Sequence, residues 1–182
     1  MAENLKLTKY RDGSEITHIT NNGDWYGLST AAYGYYDNNP TNSEIYCRLY
    51  NWFAVDDSRG VCPEGWHVPS DEEYTVLTDY LGGESVAGGK MKSTGTIEAG
   101  TGLWYSPNTG ASNESGYTGL PAGYRDWENG TYNFLGYHGY FWSSTETSSS
   151  MAWYRDLAYT NSIALNTSSY KYYGFSIRCL GD

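Results

Sequence analysis

Apolar and polar positions alternate at the start of the chain. Leu5 and Leu7, running on through Thr8 to Tyr10, predict a short strand, and Arg11-Asp12-Gly13-Ser14 a turn. Residues 16–20 predict a second strand, closed by the turn signal Asn21-Asn22-Gly23-Asp24. Residues 33–40 are aromatic and then turn-rich. The period then lengthens. Ile45, Leu49, Trp52 and Phe53 recur at helical spacing, which predicts a first helix over 42–55 with Ser43 as its cap. Residues 56–60 read as a loop.

A second helix has the clearest start. Ser70-Asp71-Glu72-Glu73 is a capping box: the Ser hydroxyl can accept from the Glu73 N–H, and the Glu73 carboxylate from the Ser70 N–H. Asp71 and Glu72 also sit at the positive end of the helix dipole. Tyr74, Val76, Leu77, Tyr80 and Leu81 form the expected buried stripe, and Gly82-Gly83 the stop. Residues 90–93 follow as a short amphipathic piece. Beyond them, clusters such as 107–110, 113–116 and 128–130 separate short aromatic runs, the pattern of short strands joined by long ordered loops.

The last third, residues 139–182, reads as several short strands. A frame of large residues (Phe141, Trp142, Trp153, Arg155, Tyr173, Phe175, Arg178) alternates with small or polar ones. Period two puts Trp153, Arg155, Leu157 and Tyr159 on one strand face and Tyr154, Asp156 and Ala158 on the other. Of the first face, Trp153 and Leu157 are expected in the core, and the second face in solvent. Strands, two helices, then strands and loops make the class α+β. Neither repeat nor linker interrupts the chain, so 1–182 is expected to be one domain.

Composition adds a surface chemistry. Twenty Tyr and 22 Gly in 182 residues match recognition surfaces, where Tyr gives stiff amphipathic area and small residues adaptability. The formal charge of −10, with 11 scattered Lys and Arg, argues against nucleic acid. Nothing approaches the roughly 20 apolar residues of a membrane span, and no charged-then-apolar leader opens the chain. The cysteines are Cys47, Cys62 and Cys179. They allow one bridge, for which Cys62–Cys179 is the pairing that ties mid-chain to the last strand, or three buried thiols.

Several blocks then carry a resemblance: LYNWFAV (49–55), CPEGWHVPSDEEYTVLTDYLGG (62–83), NESGYTGLPAGYR (113–125), GYFWSSTE (139–146), AWYRDL (152–157) and YGFSIRC (173–179). In order and together, they resemble the Fibrobacter succinogenes major paralogous domain. The resemblance implies a C-type-lectin-like fold of the formylglycine-generating-enzyme branch, in which two helices flank small antiparallel sheets and C-terminal loops form the ligand face. It implies a receptor-like or adhesin-like binding module at the cell surface or outside the cell rather than in the cytoplasm. The alternative is a structural or fimbrial surface subunit.

Some members with this ending are variable proteins of diversity-generating retroelements, whose randomised Asn codons can yield Ser, Thr, Asp, Ala and Tyr but not Met or Lys. By that resemblance 139–182 contains a variable region. Its candidate ligand-binding residues are Ser149, Ser150, Tyr154, Asp156, Ala158, Thr160, Asn161, Ser162, Ala164, Asn166, Ser168, Ser169 and Tyr172. Trp142, Trp153, Arg155, Phe175, Arg178, Cys62 and Cys179 are the structural frame, while Met151 and Lys171 stand outside the codon pattern. The expected partner is a protein or surface ligand met by a monomer.

Other chemistry reads weakly. Trp104, Trp127, Trp142 and Tyr140 are either sugar-stacking rings or core. Arg125 and Arg178 are expected to pair with carboxylates such as Glu114 or Glu146. Neither metal nor cofactor is expected, and calcium has only Asn113, Glu114, Asp126 and Glu128 as candidate oxygens, at no diagnostic spacing. His18, His67 and His138 accompany no evident nucleophile. The oxidase branch needs two cysteines in the C-terminal half, where only Cys179 stands, so no enzyme activity is expected.

Overall fold

The computed structural model describes residues 3–182. β1 (Thr17–His18) pairs parallel with β2 (Ala32–Gly34), and β2 antiparallel with β3 (Leu49–Tyr50). Between them, Asn21 caps a single helical turn, α1 (Asn22–Trp25), where the sequence predicts a plain turn. The helix expected over 42–55 is broken in two. α2 (Pro40–Tyr46) stops at Cys47, whose φ of 71° leaves the helical region, and α3 (Trp52–Val55) restarts beyond β3. Long-range pairing overrides the local period: the Tyr50 N–H donates to the Phe175 carbonyl at 2.7 Å, and Trp142 Nε1 donates to the Tyr50 carbonyl at 2.9 Å. Leu49 and Trp52 are buried as expected, but in a strand and a second helix rather than along one stripe.

After β4 (Trp66–His67), α4 (Asp71–Tyr80) opens on the expected capping box, with both reciprocal bonds formed. Its buried side is Tyr74 and Thr78, followed by Leu81, with Leu77 partly covered. Val76 and Tyr80 point to solvent, contrary to the expected stripe; they lie on the outer side of a helix covered on one side only. Past the glycine stop, α5 (Glu84–Met91) replaces the short piece expected at 90–93. It is legible only in hindsight, because Gly88 and Gly89 spoil its helical pattern. Those glycines are there for contact: a Cβ on Gly88 would lie 2.1 Å from the Ile163 carbonyl oxygen. Gly88→Val is expected to cost about 1–3 kcal/mol through this overpacking, read as a lowered midpoint in urea.

The C-terminal half contains β5 (Tyr124–Arg125), β6 (Tyr132–Asn133), β7 (His138–Glu146), β8 (Met151–Ala158), β9 (Ala164–Tyr170) and β10 (Leu180–Gly181). β5 pairs with β6, and β7–β8–β9 form an antiparallel sheet in that order. The whole is α+β, with few helices and several small, mostly antiparallel sheets. β10 pairs with β4, the Leu5 N–H donates to the Ile177 carbonyl at 2.9 Å, and a disulfide joins Cys62 to Cys179. Cys47 is a buried free thiol.

β7 is buried on both sides and separates two cores. Tyr140 and Trp142 face a core with Tyr50, Trp52, Ile177 and Phe175. Phe141 faces the other, with Leu157, Ala164, Met91, Trp104 and Tyr74 beneath the two helices. The frame expected in 139–182 is buried as anticipated except at Trp153 and Tyr173, which is half buried at the edge of the first core. Trp153 is only half buried, because it lies two residues beyond Arg155, where α4 begins.

Candidate ligand-binding face

The register of the β7–β8–β9 sheet decides which side chains meet. Tyr154 lies opposite Trp142 on one side and Thr167 on the other; Asp156 lies between Tyr140 and Leu165; Ala158 is opposite His138. These residues share the face turned away from α4 and α5. Over the middle of β8 and over β9 this face is partly open: Leu165 is exposed and Tyr154, Asp156 and Thr167 are half-buried, while Ala152 and Ala158 are covered.

The sequence-predicted site residues divide between faces. Tyr154, Asp156, Ala158 and Ser169 belong to the open side, and Thr160 and Asn161 continue it into the β8–β9 turn. Ala164, Asn166 and Ser168 pair with Leu157, Arg155 and Trp153 and so face the helices. Ala164 is wholly buried, which corrects its assignment to an exposed surface. Ala158 is also largely covered, beneath neighbouring side chains on the open side. Asn166 Oδ1 accepts from Arg155 Nη1 at 2.5 Å, so its side chain braces the helix side. Ser162 Oγ donates to the Thr109 carbonyl at 3.3 Å. Ser149 and Ser150 lie in the β7–β8 turn, at the opposite end of β8 from Thr160. Tyr172 packs against Phe53 and Trp127, with ring centroids 5.5 and 6.3 Å away.

A pocket of about 190 Å³ opens on this face, lined by His138, Asp156, Ala158, Thr160, Asn161 and Ile163, with Leu165 at its edge. Of these, His138, Ile163 and Leu165 escaped sequence reasoning. Period two along β7 would have placed His138 with Tyr140 once a hairpin register was assumed. His138 Nδ1 contacts Asp156 Oδ1 at 2.8 Å. Burial raises the Tyr154 phenol to about 12, and the Asp156 charge adds to the rise; Tyr140 is raised in the same way. Both phenols are therefore neutral donors at physiological pH.

The turn beside this pocket is held from below by Lys92, which the sequence did not single out. Its buried Nζ donates to the carbonyls of Thr109 (2.9 Å), Ala158 (2.9 Å) and Asn161 (2.8 Å). Burial lowers its pKa to about 8, while the three carbonyl acceptors favour the ammonium. All three N–H groups are used, so Lys92 is a clamp on the turn rather than a group facing a ligand.

Other expectations change. Arg125 donates to the carbonyls of Gly130, Ile19 and Asn21 instead of to a carboxylate. Arg178 donates to Asn4 Oδ1 and the Thr118 carbonyl. Glu114 is met by Lys90, and Glu146 by Lys171. Trp104 and Trp142 are core and unavailable to a sugar. Among the described residues no group of three or more His, Cys, Asp or Glu gathers around a common point, and Glu114 is engaged by Lys90 rather than joining Asp126 and Glu128. Among the described residues no helix is long and apolar enough to cross a membrane.

His67 sits between two carboxylates, with Nδ1 2.6 Å from Asp182 Oδ1 and Nε2 2.9 Å from Glu73 Oε1. Asp182 first, then Glu73, raise its pKa above 6.5. The folded pKa exceeds the unfolded one, so the pairing stabilises fully at low pH and fades as pH rises through the folded value. In an NMR titration the His67 midpoint is expected above that of a free histidine, and Asp182→Asn is expected to lower it. A midpoint unmoved by Asp182→Asn would contradict this arrangement.

A family model described as the Fibrobacter succinogenes major domain matches residues 1–180. No curated protein and no solved structure matches the chain.

Proposed function

The chain belongs to the Fibrobacter succinogenes major domain family, and on that premise we propose that it is a non-enzymatic ligand-binding protein whose open β7–β8–β9 face contacts a protein or surface ligand. One observation carries the reading. A face with core on its reverse side displays Asp156, Thr160 and Asn161 around a shallow pocket, with Tyr154 two residues along β8 on the same face, on strands pinned by Arg155 and Lys92. Rigid strands presenting Tyr and short polar groups lose little entropy on binding.

A C-type-lectin-like arrangement is part of this proposal. It is supported by the adjacency of residues 4–5 to 176–178, by two helices on one side of an antiparallel sheet, and by the long loops between. The Cys62–Cys179 bridge favours an oxidising compartment such as the cell surface or the extracellular space. Diversification by a retroelement is proposed for the open-face residues and the two turns only, because Ala164 and Asn166 serve the helix side.

The test is a display library selected on the immobilised protein. Selected binders are expected to lose affinity at least about tenfold on Tyr154→Ala or Asp156→Ala and to keep it on Val76→Asp, on the outer side of α4. Binders indifferent to the first two changes would overturn the reading. Diversification predicts a neighbouring reverse-transcriptase gene and a near-copy of the 3′ coding end differing at adenines. A genome with neither removes that part of the proposal.

A further inference from the structure

Next to the open pocket, five aromatic rings from four segments converge. Phe175 lies at their centre and is almost wholly buried. Its ring centroid is 5.1 Å from Tyr140, 4.8 Å from Tyr154, 5.4 Å from Tyr173 and 6.4 Å from Tyr124. Tyr124 stands nearly perpendicular to Tyr140 and Tyr173, at 80° and 86°. Tyr124, Tyr154 and Tyr173 are half-exposed.

The patch is acidic as well as aromatic. Asp156 raises the pKa values of Tyr140 and Tyr154, and Asp126 those of Tyr124 and Tyr173, each adding to the larger effect of burial. The backbone geometry agrees: Asp156 lies opposite Tyr140 in the β7–β8 register, and the antiparallel bridge between Arg125 and Gly174 sets Asp126 beside Tyr173. The basic residues near the patch are engaged: Arg125 with backbone carbonyls on the reverse side of β5, Lys171 with Glu146, and His138, whose ring stacks on Tyr140 at 5.4 Å, with Asp156 Oδ1 at 2.8 Å, which leaves Asp156 Oδ2 for a ligand. Tyr140 is about nine-tenths buried, yet its hydroxyl has no hydrogen-bond partner among the described residues and is not sealed from solvent. Aromatic faces carry negative potential, and ring faces with adjacent carboxylates attract a partly desolvated cation. The chain as a whole carries a formal charge of −10, which steers basic partners toward it.

We propose that the Tyr124–Tyr140–Tyr154–Tyr173 patch, with Asp126 and Asp156, receives a lysine side chain of a protein ligand. The methylene stem lies on the rings, and the ammonium reaches the carboxylates and the Tyr140 hydroxyl. This rests on the open face being the ligand-binding face and names the chemistry it selects.

The test uses the intact protein and three probes: Ac-Gly-Lys-Gly-NH₂, the same peptide with norleucine for lysine, and choline. Ring resonances of the four tyrosines are followed by NMR. The lysine peptide is expected to shift them saturably and to bind about tenfold tighter than the norleucine peptide. Asp156→Asn is expected to remove most of that preference, with an unchanged melting temperature showing that the fold is intact. Tyr154→Phe, which keeps the ring, is expected to retain it. Equal binding of lysine and norleucine, or no saturable shift, overturns the proposal, and tighter binding of choline than of lysine overturns the assignment to lysine. Library binders sensitive to Tyr154→Ala but indifferent to charge would leave the binding face standing while this inference fails. Binders insensitive to the open face would sink the broader reading first.

Discussion

Replacing Cys62 and Cys179 together by alanine is expected to lower the unfolding free energy by about 4–5 kcal/mol, because the bridge closes a loop of 117 residues and removes the corresponding freedom from the unfolded chain. That loop contains α4, α5 and β5 to β9, hence both helices and the whole candidate face. Without the bridge, β10 is held to β4 by two residue pairs, and the Ile177 and Arg178 segment by its bonds to Leu5 and Asn4. Urea denaturation of the double variant, and of the unaltered protein under reductant, should give similar losses. Agreement would assign the effect to the bond rather than to the altered side chains. A loss below about 1 kcal/mol in both would mean that packing around Phe175 and Ile177 alone holds the junction.

Arg155→Met is expected to cost about 3 kcal/mol or more, the range for removing one partner of a buried charge pair. Arg155 is almost completely buried. Its Nη1 donates to Asp71 Oδ1 and to Asn166 Oδ1, both at 2.5 Å, and its Nη2 to the Asp71 carbonyl and Thr75 Oγ1, both at 3.1 Å. One planar fork thus joins the first turn of α4 to β8 and β9. Arg155→Lys should recover little, since a single ammonium cannot reach acceptors spread around a guanidinium plane. Thermal unfolding of both variants checks this. A lysine variant as stable as the unaltered protein would show that charge alone, not the fork, is what the site needs. The open face should also lose definition in Arg155→Met, because Arg155 fixes the strand that carries Tyr154 and Asp156.

The same residues show what a linear reading can and cannot see. Arg155 and Arg178 were legible as buried members of a large-residue frame, since their alternation with small residues follows strand period two. Their partners were not: the carboxylates expected for Arg125 and Arg178 are engaged by lysines, while the arginines take carbonyls from distant loops. The helix expected over 42–55 failed at Cys47 to Tyr50, where the sheet claims the backbone. Val76 and Tyr80 were placed in the core by spacing alone, yet only one narrow side of α4 is covered. The role of Lys92 is not legible in the sequence, because nothing local distinguishes a lysine that will meet three carbonyls from one that will meet water.

By itself, the sequence determined the local punctuation and the frame. The Ser70–Glu73 capping box needs only neighbours in the chain, and it forms as written. The alternation through Trp153, Tyr154, Arg155 and Asp156 separates a core face from an open one on β8, because every second side chain must turn the same way. Only the tertiary structure decided the face of β9. Its sequence, ALNTSSY, has one large residue on each side, Leu165 and Tyr170, among small and polar ones, so no pattern states which way Asn166 or Thr167 points. Pairing with β8 puts Asn166 opposite Arg155 and sends Ala164 and Ser168 to the helices. It also gathers Tyr124, Tyr140, Tyr154 and Tyr173 from separate segments around Phe175. A surface built from residues far apart in the chain exists only once register and chain crossings are set.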